Sequence, residues 1–224
     1  MSKETKNPNA EAVAEAVSKT EVFFKENSKP LVICIAAVIV LAVGIFLWHK
    51  YAYEPKVAEA QEQMYPAENN FRNAEYELAL NGDGNVLGFA QIIDEYGARA
   101  GKSVYFYAGV CELQLGNFES AISYLEKYSG RDNILAGRAY SCIGDAYTGL
   151  EDYEQAVVWF EKAARKSDNM FSAGYLLKAG VTCEELGDDA RALAFYQQIK
   201  DDYPQSMEAY DIDKYISRIE AKAK

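Results

Sequence analysis

Few residues in this chain could do acid–base, nucleophilic or metal chemistry, and their spacing does not suit it. The only histidine, His49, follows directly on an apolar run. A Ser-His-Asp or Cys-His relay would have to work there, away from the bulk of the polar sequence. Four cysteines, Cys34, Cys111, Cys142 and Cys183, lie far apart with no C-x-x-C pair and no histidine at metal-ligand spacing. The last three sit among apolar residues, either as small buried hydrophobes or as one disulfide plus a free thiol. The turn Asn81-Gly82-Asp83-Gly84-Asn85 has the look of a calcium loop. An EF-hand would need glycine and glutamate where Val86 and Ile92 stand, so Gly82 is read as a helix stop. Neither a P-loop nor a dinucleotide-binding glycine fingerprint occurs. The expectation is a non-enzyme with no cofactor, no metal and no small-molecule substrate.

The elements around these residues are more informative. Leu31 to Trp48 reads LVICIAAVIVLAVGIFLW, without a charge, Asn or Gln. As a helix it is about 27 Å long, enough for the hydrocarbon core of a bilayer. Lys25 and Lys29 precede it, and Trp48, His49, Lys50, Tyr51 and Tyr53 follow, as at a membrane interface. About thirty residues lie before the run and bulky ones behind it, which reads as an uncleaved signal anchor. Lys19, Lys25 and Lys29 against Lys50 and Lys56 give a thin positive-inside bias, placing residues 1–30 in the cytoplasm and the rest outside. That tail is either amphipathic, with Val13, Ala16, Val17 and Phe24 on one side, or disordered. It holds five Lys and five Glu, so the net charge of −11 falls entirely beyond Trp48. So acidic a surface disfavours nucleic acid and anionic lipid, and fits protein partners.

Beyond the run the chain repeats itself every 35 to 36 residues. Gly109, Gly116, Phe118, Ala121 and Leu125 recur as Gly144, Glu151, Tyr153, Ala156 and Phe160, then as Gly180, Gly187, Asp189, Ala192 and Tyr196. Each set predicts helix, tight turn, helix. The small residues let the two helices of a hairpin approach, and the bulky last one is expected to fill the gap toward the next hairpin. Upstream, a helix is expected over residues 67–80, and Phe89, Ile92 and Tyr96 match Tyr196, Ile199 and Tyr203 as a half repeat. Residues 55–64 are expected to be helical, and residues 208–222 to form a closing helix with Ile212, Ile216 and Ile219 on one face.

These hairpins resemble the tetratricopeptide repeat, best in the second copy through Tyr140, Ile143, Gly144, Tyr147, Tyr153, Ala156, Phe160 and Ala163. The implied fold is all-α: an N-terminal transmembrane helix (31–48), a connector (49–66), and a tetratricopeptide-repeat solenoid (67–206). Its divisions fall at 67–101, 102–136, 137–172 and 173–206, with a capping helix at 207–224. The strings AENNFRNAEYELALNGDG, LGFAQIIDEYG and YFYAGVCELQLGNFESAISYLEKY are similar to bacterial inner-membrane proteins of this kind. The whole layout resembles the YfgM-like ancillary subunits of the Sec translocon. That resemblance implies an adaptor facing the periplasm. Its partners would be translocon subunits, periplasmic chaperones or newly secreted chains. A cytoplasm-facing docking receptor is the alternative. In the repeat fold the first helix of each hairpin lines a groove, here through Phe106, Val110 and Leu113, then Arg138 and Asp145, then Leu177 and Val181. Ser103, Ser141, Thr148, Glu184 and Glu185 lie on the same faces, making the groove apolar at one end and acidic at the other. The Lys/Asn arrangement that clamps a C-terminal carboxylate in some of these proteins is missing.

Overall fold

The computed structural model describes residue 25 and residues 27–222, so both readings of the N-terminal tail lie outside the described residues. Two compact units divide the chain at Pro55.

The first unit carries helix α1 (Ser28–Trp48), in which no residue is buried. Val32, Ile33, Val38, Val40, Leu41 and Ile45 are all more than half exposed, on every side of the helix. A helix apolar all round has no solvated face to turn outward in water. This one is long and apolar enough to cross a membrane. A π-helical turn, His49–Tyr53, follows. In it the His49 ring stacks on Tyr53 at 5.2 Å, and His49 Nδ1 lies 3.4 Å from Glu54 Oε1. The histidine is thereby part of an aromatic cluster with Trp48.

In the second unit all described secondary structure is helical: α2 (Glu54–Arg72), α3 (Tyr76–Asn81), α4 (Phe89–Tyr96), α5 (Ser103–Gln114), α6 (Phe118–Lys127), α7 (Asn133–Gly149), α8 (Tyr153–Ser167), α9 (Ser172–Glu185), α10 (Asp189–Asp202) and α11 (Met207–Lys222). Hairpins α5–α6, α7–α8 and α9–α10 stack in chain order. The core accordingly falls into three successive clusters rather than one. The first joins α2 to α5 around Phe89, Ile92 and Val104; the second holds Phe106, Leu125 and Ile143; the third runs from Ala156 to Ile219. Tyrosines knit them together. Tyr107 packs on the first and second clusters, and Tyr140 and Tyr147 on the second and third.

The repeated small residues act within a hairpin. A β-carbon on Gly109 would meet Leu125 Cγ at 2.6 Å, and one on Gly144 would meet Phe160 Cε1 at 2.6 Å. Gly180 lies tighter still, against the Tyr196 ring. The bulky residue therefore covers the glycine of its own hairpin and, as expected, also belongs to the cluster shared with the following element: Leu125 with Ala139 and Ile143, Phe160 with Ala173 and Leu176, Tyr196 with Ile212 and Ile216. Ala121, Ala156 and Ala192 are wholly buried beside these contacts. The turns use a left-handed residue at one recurrent position: Gly116 (φ 82°), Glu151 (φ 60°) and Gly187 (φ 73°). Only the middle repeat puts a side chain there, at a steric cost glycine avoids. The next helices start from Asn117, Asp152 and Asp188. The two aspartates each accept an N–H bond, from Gln155 and Arg191.

Two expectations upstream differ from what is seen. The helix expected over 67–80 is broken, because the chain reverses at Asn73-Ala74-Glu75 with Ala74 at φ 61°. The membrane-proximal helix also runs through Pro66 to Arg72. A proline inside a helix forfeits a backbone bond. Here Ala60 and Met64 before it and Ala67 after it are buried in the first cluster, anchoring both sides. As expected, Gly82 (φ 72°) ends α3, and Ile212, Ile216 and Ile219 of α11 are buried.

Candidate functional site

An open cleft of about 510 Å³ lies where α2 and α3 face α5 and α7. One wall is aromatic. Phe71 meets Tyr76 at 5.7 Å and Tyr107 at 5.1 Å, both edge-on, and Tyr107 in turn stacks on buried Phe89 at 5.2 Å. Such ring contacts fix the wall's shape beyond simple burial. Val110, Leu113 and Leu135 add aliphatic surface, and Glu68, Arg72, Gln114 and Arg138 border the opening.

Of the residues expected to form a groove, Phe106, Val110, Leu113, Arg138 and Asp145 line this cleft together. Their exposures differ in kind. Phe106 is only 5% exposed and packs edge-on against Tyr107 and Tyr128, so it is chiefly a core residue whose edge reaches the cleft. Val110 and Leu113 are half-buried and Arg138 is exposed. Leu177 and Val181 are not in the cleft lining: Leu177 packs on the third core cluster, and Val181 is 39% exposed on α9.

The acidic end of the expected groove is largely committed to the fold. Asp145 accepts two bonds from Lys178 Nζ at 2.7 and 2.8 Å; the same ammonium reaches Ser141 Oγ at 3.3 Å and lies 5.5 Å from the Phe160 ring centre. That lysine ties α9 to α7. Glu184, with 11% of its side chain exposed, accepts from Tyr196 Oη at 2.7 Å, Arg218 at 2.5 Å and Lys222 at 3.3 Å. Burial pushes its carboxyl up, but these three donors outweigh it and hold the pKa below the usual carboxylate range. Glu184 thus locks the capping helix to the third repeat. Thr148 donates to the Gly144 carbonyl at 3.0 Å.

The thiols are unsuited to nucleophilic work. Among the described residues all four cysteines are free. Burial, with some help from Glu112, pushes Cys111 up to about 12, and burial with Asp145 pushes Cys142 up to about 11. Cys183 is raised by burial too, against the pull of Arg191. Protonated thiols of this kind behave as small apolar side chains. No group of three or more His, Cys, Asp or Glu placed to hold a metal occurs among the described residues.

Sequence reasoning missed the α2–α3 wall: Glu68, Phe71, Arg72 and Tyr76. The signal available was the pair Phe71 and Tyr76, whose five-residue spacing fits no single helix face and marks the reversal between them.

Stacked helical hairpins carrying an open aromatic cleft define a helical-repeat interaction module. Its repeats are tetratricopeptide repeats. The family's descriptions match residues 103–131, 137–165 and 175–206, which fall on α5–α6, α7–α8 and α9–α10. No match to a curated protein is found. Tetratricopeptide repeats mediate protein–protein contacts and are generally not catalytic, so the second unit is a protein-interaction adaptor.

Proposed function

We propose that this protein is a membrane-tethered adaptor of protein secretion. Residues 31–48 cross a bacterial inner membrane, and the solenoid stands on the periplasmic side beside the Sec translocon. There it engages translocon subunits, periplasmic chaperones or newly secreted chains. The observation that carries the reading is the cleft: an aromatic and aliphatic wall open to solvent, bordered by Arg72 and Arg138, which form no ion pair among the described residues, on a unit built of interaction repeats. The apolar α1, the lysine bias ahead of it, and the resemblance to YfgM-like proteins support the setting.

Two measurements test it. A topology reporter fused after Lys224 is expected to be active only when exported; activity only in the cytoplasm would turn the protein into an inward-facing docking receptor. A photo-crosslinking residue at Val110 or Leu113, in native membranes, should capture a translocon subunit, a chaperone or a secreted chain. Crosslinks confined to other faces of the solenoid would overturn the cleft as docking site.

A further inference from the structure

This inference rests on the adaptor reading and concerns what its cleft recognises. The chain carries a net charge of −11, yet two arginines, Arg72 and Arg138, border the same cleft. Neither makes an ion pair with a described residue; Arg72 only leans over the Tyr65 ring at 5.9 Å. Both are exposed at the rim. Both charges also act on one point, the hydroxyl of half-buried Tyr107, which itself has no hydrogen-bond partner among the described residues. Burial and Glu68 push that hydroxyl up, and the two arginines pull it down. In so acidic a unit carboxylates are plentiful: Asp145 takes Lys178, and Glu184 takes Arg218 and Lys222. Two guanidiniums and a phenol left over at an aromatic wall are donors without an acceptor.

We infer that the cleft binds an extended polypeptide segment through an internal Asp or Glu side chain set beside an apolar residue. The carboxylate is received by Arg72, Arg138 and the Tyr107 hydroxyl, and the apolar side chain lies against Phe71 and Val110. Guanidiniums at the rim are reached by a passing chain without its having to end there, which favours a side-chain carboxylate over a chain terminus. Glu68 beside the arginines makes the site repel a second acidic residue, so a single carboxylate is read and not an acidic run.

The test uses the full chain in lipid nanodiscs and labelled twelve-residue peptides, blocked at both ends, with an Asp-Phe-Leu centre in a Gly/Ser frame. The Asp-Phe-Leu peptide is expected to bind about five- to tenfold more tightly than its Asn-Phe-Leu counterpart, which is what one carboxylate held by exposed arginines supplies. Arg72→Gln with Arg138→Gln should abolish that difference while leaving helicity by circular dichroism intact. Replacing Phe-Leu by Ser-Ser should weaken binding to either protein. Persistence of the Asp/Asn difference in the double variant overturns the assignment. So does tighter binding of a peptide whose only carboxylate is a free C-terminus. If no peptide binds while Val110 and Leu113 still crosslink partners in membranes, this inference falls and the adaptor reading stands. Loss of both signals removes both.

Discussion

Replacing Gly144 by alanine adds one methyl group where two opposing effects can be weighed. Within a helix, alanine is favoured over glycine by about 1 kcal/mol. The new β-carbon, however, would stand 2.6 Å from Phe160 Cε1, 2.7 Å from Cδ1 and 3.0 Å from Cζ. Ordinary carbon contacts need about 3.5–4.0 Å, so the ring must withdraw by about 1 Å. Phe160 is 2% exposed and packed in the third core cluster, with nowhere to go. Overpacking of this kind costs about 1–3 kcal/mol, and the clash outweighs the propensity gain. The net loss of up to about 2 kcal/mol should lower the melting temperature of a fragment starting at Lys56 by up to about 4–8 °C. The loss should be similar for Gly109→Ala, where the new β-carbon meets Leu125 Cγ at 2.6 Å and the Leu125 backbone nitrogen at 3.1 Å. It should be larger for Gly180→Ala, because the Tyr196 hydroxyl is held by Glu184. Shrinking the opposing ring with Phe160→Leu should recover part of the loss, giving a coupling of at least about 1 kcal/mol in a double-mutant cycle. A raised melting temperature for Gly144→Ala, or strictly additive effects, would refute the close packing of the hairpin.

Three further outcomes follow from the same structure. Glu151→Gly should stabilise the unit by about 0.5–1 kcal/mol in urea titration, since the residue stands at φ 60° where its two counterparts are glycines; a loss would mean that the turn is not strained. The lowered pKa of Glu184 makes its contribution full above the ordinary carboxylate range near pH 4.3 and lost as pH falls through the folded value. Hydrogen exchange should therefore show α11 loosening first below about pH 4, and Glu184→Gln should loosen it at neutral pH; unchanged protection in both cases would remove the lock. Full-length protein should stay with membranes through alkaline carbonate washing, and recovery in the soluble fraction would deny α1 its span.

The parts legible in the sequence are those where one physical requirement acts alone. An apolar run without a polar face can only be lipid-facing or deeply buried, so α1 is read from composition. Gly109, Gly144 and Gly180 recur because no β-carbon fits, and the period follows from them. The partner of each glycine was less legible. Spacing says that Leu125, Phe160 and Tyr196 are bulky and face the next element, but that each also covers the glycine of its own hairpin depends on how the two helices rotate about their axes. The break at Asn73-Ala74-Glu75 was hidden because Ala74 adopts a conformation that glycine or asparagine usually announces. One wall of the cleft was hidden with it. Lys178 and Glu184 show a further limit. Their partners lie 33 and 34 residues away, and a one-dimensional reading of an acidic groove face cannot tell a carboxylate free for ligand from one already answered inside the fold.

The division of the core into three neighbouring clusters bears on the order in which the chain can fold. Each hairpin closes on a glycine roughly sixteen residues from its bulky partner, and each cluster joins segments adjacent along the chain. Contacts so local form quickly and need no distant strand or terminus to arrive first. A polypeptide emerging amino end first can therefore consolidate one hairpin after another while synthesis continues. The segment awaiting a partner at any moment is about one hairpin long. A later step is the docking of α11, whose three isoleucines cover the apolar side of the preceding hairpin, with Glu184 as its latch. Until the ribosome has delivered Arg218 and Lys222 that surface stays open to solvent, and a chain stalled short of them presents it to chaperones and proteases.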